Sequence, residues 1–276
     1  MPLANKAMSY KIFLINLDRS SDRLERFSKR ATELSITCTR ISAVDAEKLS
    51  ESEMSSSGRG GYFRGLVRGE IACYKSHIKA LRTFLESEVE YGVILEDDAV
   101  LSQDFNELIA ALIGSHRHSS HWDLVKLDGV KSGRISRGHI GKGHYLVEFK
   151  SVPGLATGVV WTKKAAERFL TLHEYGPVKR PFDVDLRSPW QFDAIVYTVW
   201  PSLVIAEEIS SGHETTIKGR WGGKARVTHA REKISKIAFN LDFALRNLRY
   251  NMRRIGIIQA LVSLSGRNRS LELKDL

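Results

Sequence analysis

Four short apolar runs in this 276-residue chain each end on an acid. KIFLINL (11–17) meets Asp18, TCTRISAV (37–44) meets Asp45, GVIL (92–95) meets Glu96, Asp97 and Asp98, and LVKL (124–127) meets Asp128. Runs of this length, bounded by polar residues, read as buried strands. Amphipathic segments lie between them. SSDRLERFSKRATEL (20–34) puts Leu24, Phe27 and Leu34 on one face, and EIACYKSHIKALRTFLES (70–87) repeats Ile71, Ile78, Leu81 and Leu85 at helical spacing. A helix is also expected around 104–114, and strand TGVVWT (157–162) leads into helix KKAAERFLTLHE (163–174). The alternation predicts an α/β domain over 8–220 with a mostly parallel central sheet. The Ser/Gly-rich stretch ESEMSSSGRGGYFRG (51–65) lacks core periodicity and is expected to be a loop.

In sheets of this kind ligands bind beyond the carboxyl ends of the strands. A helix cap explains one acid at one strand end; acids at four ends of one rim point to a ligand. Three adjacent carboxylates repel one another, and a divalent cation is the economical remedy. If the backbone stays extended, Glu96 and Asp98 point the same way and Asp97 points away. Two carboxylates suit Mn²⁺ or Mg²⁺, with substrate phosphates completing the shell. The alternative is that Asp97 or Asp98 caps the next helix while Glu96 sits at a wet edge.

The two cysteines, Cys38 and Cys73, are far apart and form no CxxC or Cys/His pattern. That argues against a disulfide scaffold or structural zinc and fits a reducing compartment. The N-terminal segment has no signal-peptide pattern, and no run approaches the roughly 18 apolar residues of a spanning helix. The formal charge of +10 is uneven: residues 224–276 hold twelve Lys or Arg against four acids, leaving the rest nearly neutral. An acidic partner is therefore met mainly by this tail.

Several blocks in order resemble the lipooligosaccharide glycosyltransferases of family 25, which include relatives acting on collagen. They are KIFLINLDRSSDRLERF, ISAVDA, GEIACYKSHIKALRTF, VILEDDAVL, TGVVWTKKAAERFL and PFDVDL, within about residues 10–215. Ala72 stands where glycine is expected, and PFDVDL offers two aspartates where the family commonly shows a single Val-Asp pair. The resemblance implies a GT-A type, Rossmann-like nucleotide-sugar-binding domain, a UDP-hexose donor carrying galactose or glucose, Mn²⁺ or Mg²⁺, and inversion at the anomeric carbon.

On that resemblance Glu96 and Asp98 are the expected metal ligands, with His213 of ISSGHETTIKG as a further candidate. Donor contacts are expected from Asp18, Arg23, Asp45, Ser76, His77 and Asp97. Inverting transfer needs one base for the acceptor hydroxyl, and Asp183, Asp185 and then Asp193 are the candidates. Trp190 is a candidate for stacking on a sugar face, or else a core residue.

The tail (224–276) contains a long amphipathic segment. Ile234, Ile237, Leu241, Leu245, Leu248, Met252, Ile255 and Ile258 recur every three or four residues, with cations mostly off that stripe. This predicts a helix on an anionic membrane surface, next to a phosphorylated, lipid-anchored oligosaccharide acceptor; packing on the domain or another subunit is the alternative. Together these readings predict a cytoplasmic enzyme, peripheral on the inner membrane. Two competing readings are a different metal-dependent nucleotidyl- or phosphoryl-transfer enzyme and a non-enzymatic nucleic-acid module using the tail. Against the latter, the body shows no aromatic-basic interleaving and no helix-turn-helix pattern, so nucleic acid is not expected as a partner.

Overall fold

A computed structural model describes residues 10–57, 62–118, 121–129, 134–149, 151–173, 175–207, 230–257 and 260. The chain begins β1 (Tyr10–Asn16), α1 (Ser21–Glu33), β2 (Cys38–Ser42), α2 (Glu51–Ser56), α3 (Arg68–Glu86), β3 (Tyr91–Glu96), β4 (Ala99–Leu101) and α4 (Phe105–His118). It continues β5 (Leu124–Lys126), β6 (Arg134–Gly141), β7 (His144–Phe149), β8 (Gly158–Thr162), α5 (Lys163–His173), α6 (Phe182–Leu186), β9 (Val196–Trp200), β10 (Val204–Ala206) and α7 (Ala230–Ile255).

Eight strands form one sheet in the order β2-β1-β3-β8-β5-β9-β7-β6, and β4 pairs with β10 in a separate ribbon. The sheet is mixed, which corrects the expected mostly parallel one. β1 is parallel to β2 and β3, and β5 to β9, whereas β8 runs antiparallel to both β3 and β5 and the β9-β7-β6 edge is antiparallel.

The strand pleat divides the core in two. Phe13, Ile15, Ile94, Val159 and Trp161 face α3 and α5, while Ile12, Leu14, Val93, Leu95 and Val160 face α1 and α4. Both faces are covered, as the continuous apolar runs require. Residues 51–56 are helical rather than loop: Ser50 accepts from the Glu53 amide while Glu53 accepts from the Ser50 amide, a capping box that nucleates α2.

Gly92 lies on β3 between its two neighbours, under the Phe84 ring of α3. A Cβ there would stand 2.6 Å from the nearest ring carbon. Gly92→Ala is therefore expected to lower stability by about 1–3 kcal/mol through overpacking, read as a lower urea midpoint at unchanged m-value.

Candidate active site

The carboxyl end of β3 is where the acidic corner forms, and the backbone there is not extended. Glu96 closes the strand, and Asp97 and Asp98 occupy a turn before β4. The alternation expected from an extended chain does not apply, so each carboxylate finds a different environment.

Asp97 turns toward α1. It accepts from Asn16 Nδ2 at 2.7 Å and from Arg23 Nη1 at 2.8 Å. Burial pushes its carboxyl above the usual range, opposed by Asn16 and Arg23. Glu96 Oε1 lies 2.9 Å from His77 Nε2, and Cys73 Sγ lies 3.8 Å from the same oxygen. The His77 ring is held flat against Phe182, with centroids 3.9 Å apart and planes inclined by 9°. Asp98 Oδ1 is buried and has no hydrogen-bond partner. Burial first, then the charge of Glu96, push the Asp98 carboxyl up to about 7. A carboxylate so placed calls for a positive charge beside it, whether a proton or a cation.

These groups line one cleft at the strand ends, with Arg19, Arg23, Ser76 and Asp183 on its walls. α3 delivers three of them from one face: Cys73, Ser76 and His77 fall three and four residues apart. Ser76 Oγ donates to Ala72 O at 2.7 Å and accepts from the Val44 amide at 2.8 Å, tying α3 to the segment after β2.

The residues present fit a divalent cation. The unpaired Asp98 oxygen and Glu96 supply hard oxygen donors of the kind Mn²⁺ and Mg²⁺ take. The structure adds a grouping that the sequence reading missed: single ligand atoms of Cys73, His77 and Glu96 lie within 4.8 Å of one another. Cys73 and the cleft-lining Arg19 were both passed over. The helical i, i+4 spacing of Cys73 and His77 was a visible signal, and so was the position of Arg19 just after the first strand end. His213 lies outside the described residues.

Other expected site residues are placed elsewhere. Asp18 is exposed at the rim, paired with Arg40 at 2.6 Å and accepting from Ser42. Those bonds hold its carboxyl below the usual range. Asp45 caps a short 3₁₀ turn through the Glu47 amide and pairs with Arg19. Neither aspartate lines the cleft. Asp128 is fully buried and is no rim ligand: it pairs with Lys126 at 3.2 Å and accepts from the Thr157 amide at 2.8 Å.

Of the three base candidates, Asp183 lines the cleft. Asp185, on the same short helix α6, is buried behind it, accepting from Tyr74 Oη at 2.9 Å and paired with Arg180 at 2.6 Å. Asp193 is exposed, at a positive φ of 47°, and borders a different cavity beside Tyr250 and Arg254. The Trp190 ring packs on Phe243 and Tyr250 of α7, with centroids 5.1 and 6.3 Å away, rather than facing the cleft.

A family profile described as glycosyltransferase family 25 (LPS biosynthesis protein) matches residues 9–183. Procollagen galactosyltransferase 1 of Danio rerio is 27% identical over 205 residues, 70% of this chain and 33% of that protein. Procollagen galactosyltransferase 2 of Homo sapiens is 31% identical over 124 residues, 42% of this chain and 20% of its own length. A glycosyltransferase 25 family member of Drosophila melanogaster is 27% identical over 132 residues, covering 45% and 22% respectively. The chain thus spans a third or less of these relatives.

Replacing Asp185 with Ala leaves the buried Tyr74 phenol without its acceptor and the half-buried Arg180 guanidinium without its carboxylate. It is expected to cost about 1–3 kcal/mol, whereas Asp183→Asn leaves the unfolding midpoint near that of the parent chain. Denaturant titration of the two variants checks the contrast.

Proposed function

The chain belongs to glycosyltransferase family 25, and on that premise we propose that it is a metal-dependent, inverting hexosyltransferase of GT-A type using a UDP-sugar donor. Galactose is the favoured hexose, since relatives carry the name galactosyltransferase. The observation that carries the reading is positional. Of the residues lining the cleft, all but Ala206 fall within the family match, and they include the acidic corner and Asp183.

In this reading Glu96 and Asp98 would hold Mn²⁺ or Mg²⁺, which would supply charge stabilisation to a diphosphate leaving group. Ser76 and His77 contact the donor, and Asp97 keeps Arg23 directed at the phosphates. Asp183 accepts the proton of the acceptor hydroxyl. The oxygen so freed attacks the anomeric carbon from the face opposite UDP. One carbon–oxygen bond forms as the bond to the β-phosphate oxygen breaks, and its electron pair leaves with UDP. The configuration inverts because attack and departure are on opposite faces.

For the acceptor we favour a lipid-anchored, phosphorylated oligosaccharide of the lipooligosaccharide core, reached at the cytoplasmic face of the inner membrane. The support is α7. Its outward stripe of Ile234, Ile237, Leu241 and Leu245 is 51–67% exposed. Exposed cations, among them Lys233 and Arg249, lie beside that stripe. An apolar stripe with cationic margins suits an anionic bilayer surface. No helix of the described residues is long and apolar enough to cross a membrane.

Asp183→Asn is expected to lower turnover of UDP-galactose by about 10²–10⁴-fold, the usual worth of a general base, while UDP affinity stays unchanged. Asp98→Ala should instead abolish manganese-dependent protection by UDP against thermal unfolding. Normal turnover in the first variant, or intact manganese-dependent protection in the second, removes the corresponding role. The membrane reading is tested by sedimenting the full chain with vesicles. Ile237→Glu/Leu241→Glu should lose pelleting with phosphatidylglycerol vesicles, and neither form should pellet with purely phosphatidylcholine ones.

A further inference from the structure

α7 has two faces. Opposite the exposed stripe, Phe239, Phe243 and Tyr250 turn inward onto the domain. Tyr250 Oη donates to Ala194 O at 2.9 Å, and Phe243 meets Trp190. Phe239 reaches a different target. Its ring stands edge-on to Tyr62, with centroids 5.2 Å apart at 88°, and 6.1 Å from Phe63.

Tyr62, Phe63 and Arg64 belong to no helix or strand. Arg64 nevertheless makes the two-pronged contact that fixes the start of α3: its guanidinium donates to Glu70 at 2.9 and 2.7 Å. Glu70 is 3% exposed, lines the cleft, and also accepts from the Val67 amide at 3.1 Å. α3 then carries Cys73, Ser76 and His77 into the cleft. The Arg64 guanidinium also lies within electrostatic range of Asp183. An ion pair made from a segment outside regular structure must meet the entropy of ordering that segment, unless something else holds it. The Tyr62–Phe63–Phe239 rings do so. Tyr62 and Phe63 lie 4.3 Å apart, and Lys236 sits 5.5 Å over Phe63 from the same helix.

We propose that Phe239 is a positioning residue of the cleft: α7 clamps Tyr62 and Phe63, and thereby holds Arg64 on Glu70, which lines the cleft at the start of α3. This helix is then part of the site, although it lies beyond the segment matched by the family. The contact itself is independent of the chemistry; its effect on turnover rests on the proposed function.

The test uses the full chain with Phe239→Ala and Phe239→Tyr. Hydrogen exchange is followed at the amides of 62–72 and, as a control, of β1 and β3. In Phe239→Ala, exchange at 62–72 should speed up by about tenfold or more while the strand amides keep their rates, as for local opening. Phe239→Tyr, which retains the ring, should restore protection. With UDP-galactose and Mn²⁺, Phe239→Ala should lose about tenfold in turnover at unchanged UDP affinity. Unchanged exchange at 62–72 overturns the clamp. So does a loss of UDP affinity, turnover and strand protection together, which marks a merely structural ring. If the parent chain turns over no nucleotide sugar, the proposed function fails, and the exchange data still decide the clamp.

Discussion

One buried lysine sets the wall against which the cleft is built. Lys126 ends β5 with its side chain fully enclosed, and its ammonium donates to Gly154 O at 2.7 Å and to Leu155 O. Asp128, two residues on, balances the charge and binds the Thr157 amide. Four consecutive residues, 154 to 157, are thereby pinned over the end of the sheet, with Leu155 at a positive φ of 68°. Leu155, Ala156 and Thr157 all line the cleft, and Thr157 O accepts from the Glu96 amide at 3.0 Å. A buried pair of this kind contributes little net stability against an apolar substitute. Its worth here is geometric: it fixes irregular backbone beside the acidic corner, where no ladder could.

The same accounting of charges shows which acids are already paired within the fold. Asp18 is satisfied by Arg40, Asp45 by Arg19 and its own 3₁₀ cap, Asp128 by Lys126, and Asp185 by Tyr74 and Arg180. Asp97 is bound by Asn16 and Arg23. Asp98 differs: its buried Oδ1 has no hydrogen-bond partner and, unlike Asp128, no paired cation among the described residues, and its pKa is held up by burial and by Glu96. Burial and the charge of Glu96 both act against the Asp98 carboxylate, and positive charge at this corner, a proton or a cation, relieves them. On the proposed reading, a cation carrying a diphosphate would complete this corner.

The strands and main helices were legible because burial on both sheet faces leaves continuous apolar runs. VILE was read to its last residue, and the α3 period was plain. What the sequence could not convey was long-range partnership. Asp97 meets Arg23 across 74 positions and Asp185 meets Tyr74 across 111, so neither acid could be told from its neighbour by local context. Strand direction was also hidden, because the antiparallel β8 has the same Val-rich pattern as a parallel strand. The Ser-rich segment was misjudged on composition although its S-x-x-E capping signature stood in plain view at Ser50 and Glu53. Asp193 lies within the apolar stretch FDAIV (192–196), yet its backbone is left-handed and its side chain is exposed.

The tail shows why amphipathicity alone underdetermines an interface. Its aliphatic stripe was the visible signal, and the expectation was that this face would find a partner. The domain instead takes the aromatic face: Phe239, Phe243 and Tyr250 recur at steps of four and seven, on the side of α7 opposite Ile234, Ile237, Leu241 and Leu245. The two faces do not compete. A bilayer engaging the outer stripe would press the helix onto the domain rather than peel it away, so the proposed surface attachment and the proposed grip on Tyr62 and Phe63 would reinforce one another. Aromatic rings suit the inner role because they span the distance to a segment without regular structure at little rotamer cost. Branched aliphatics suit the outer one, where the contact is non-directional and scales with area.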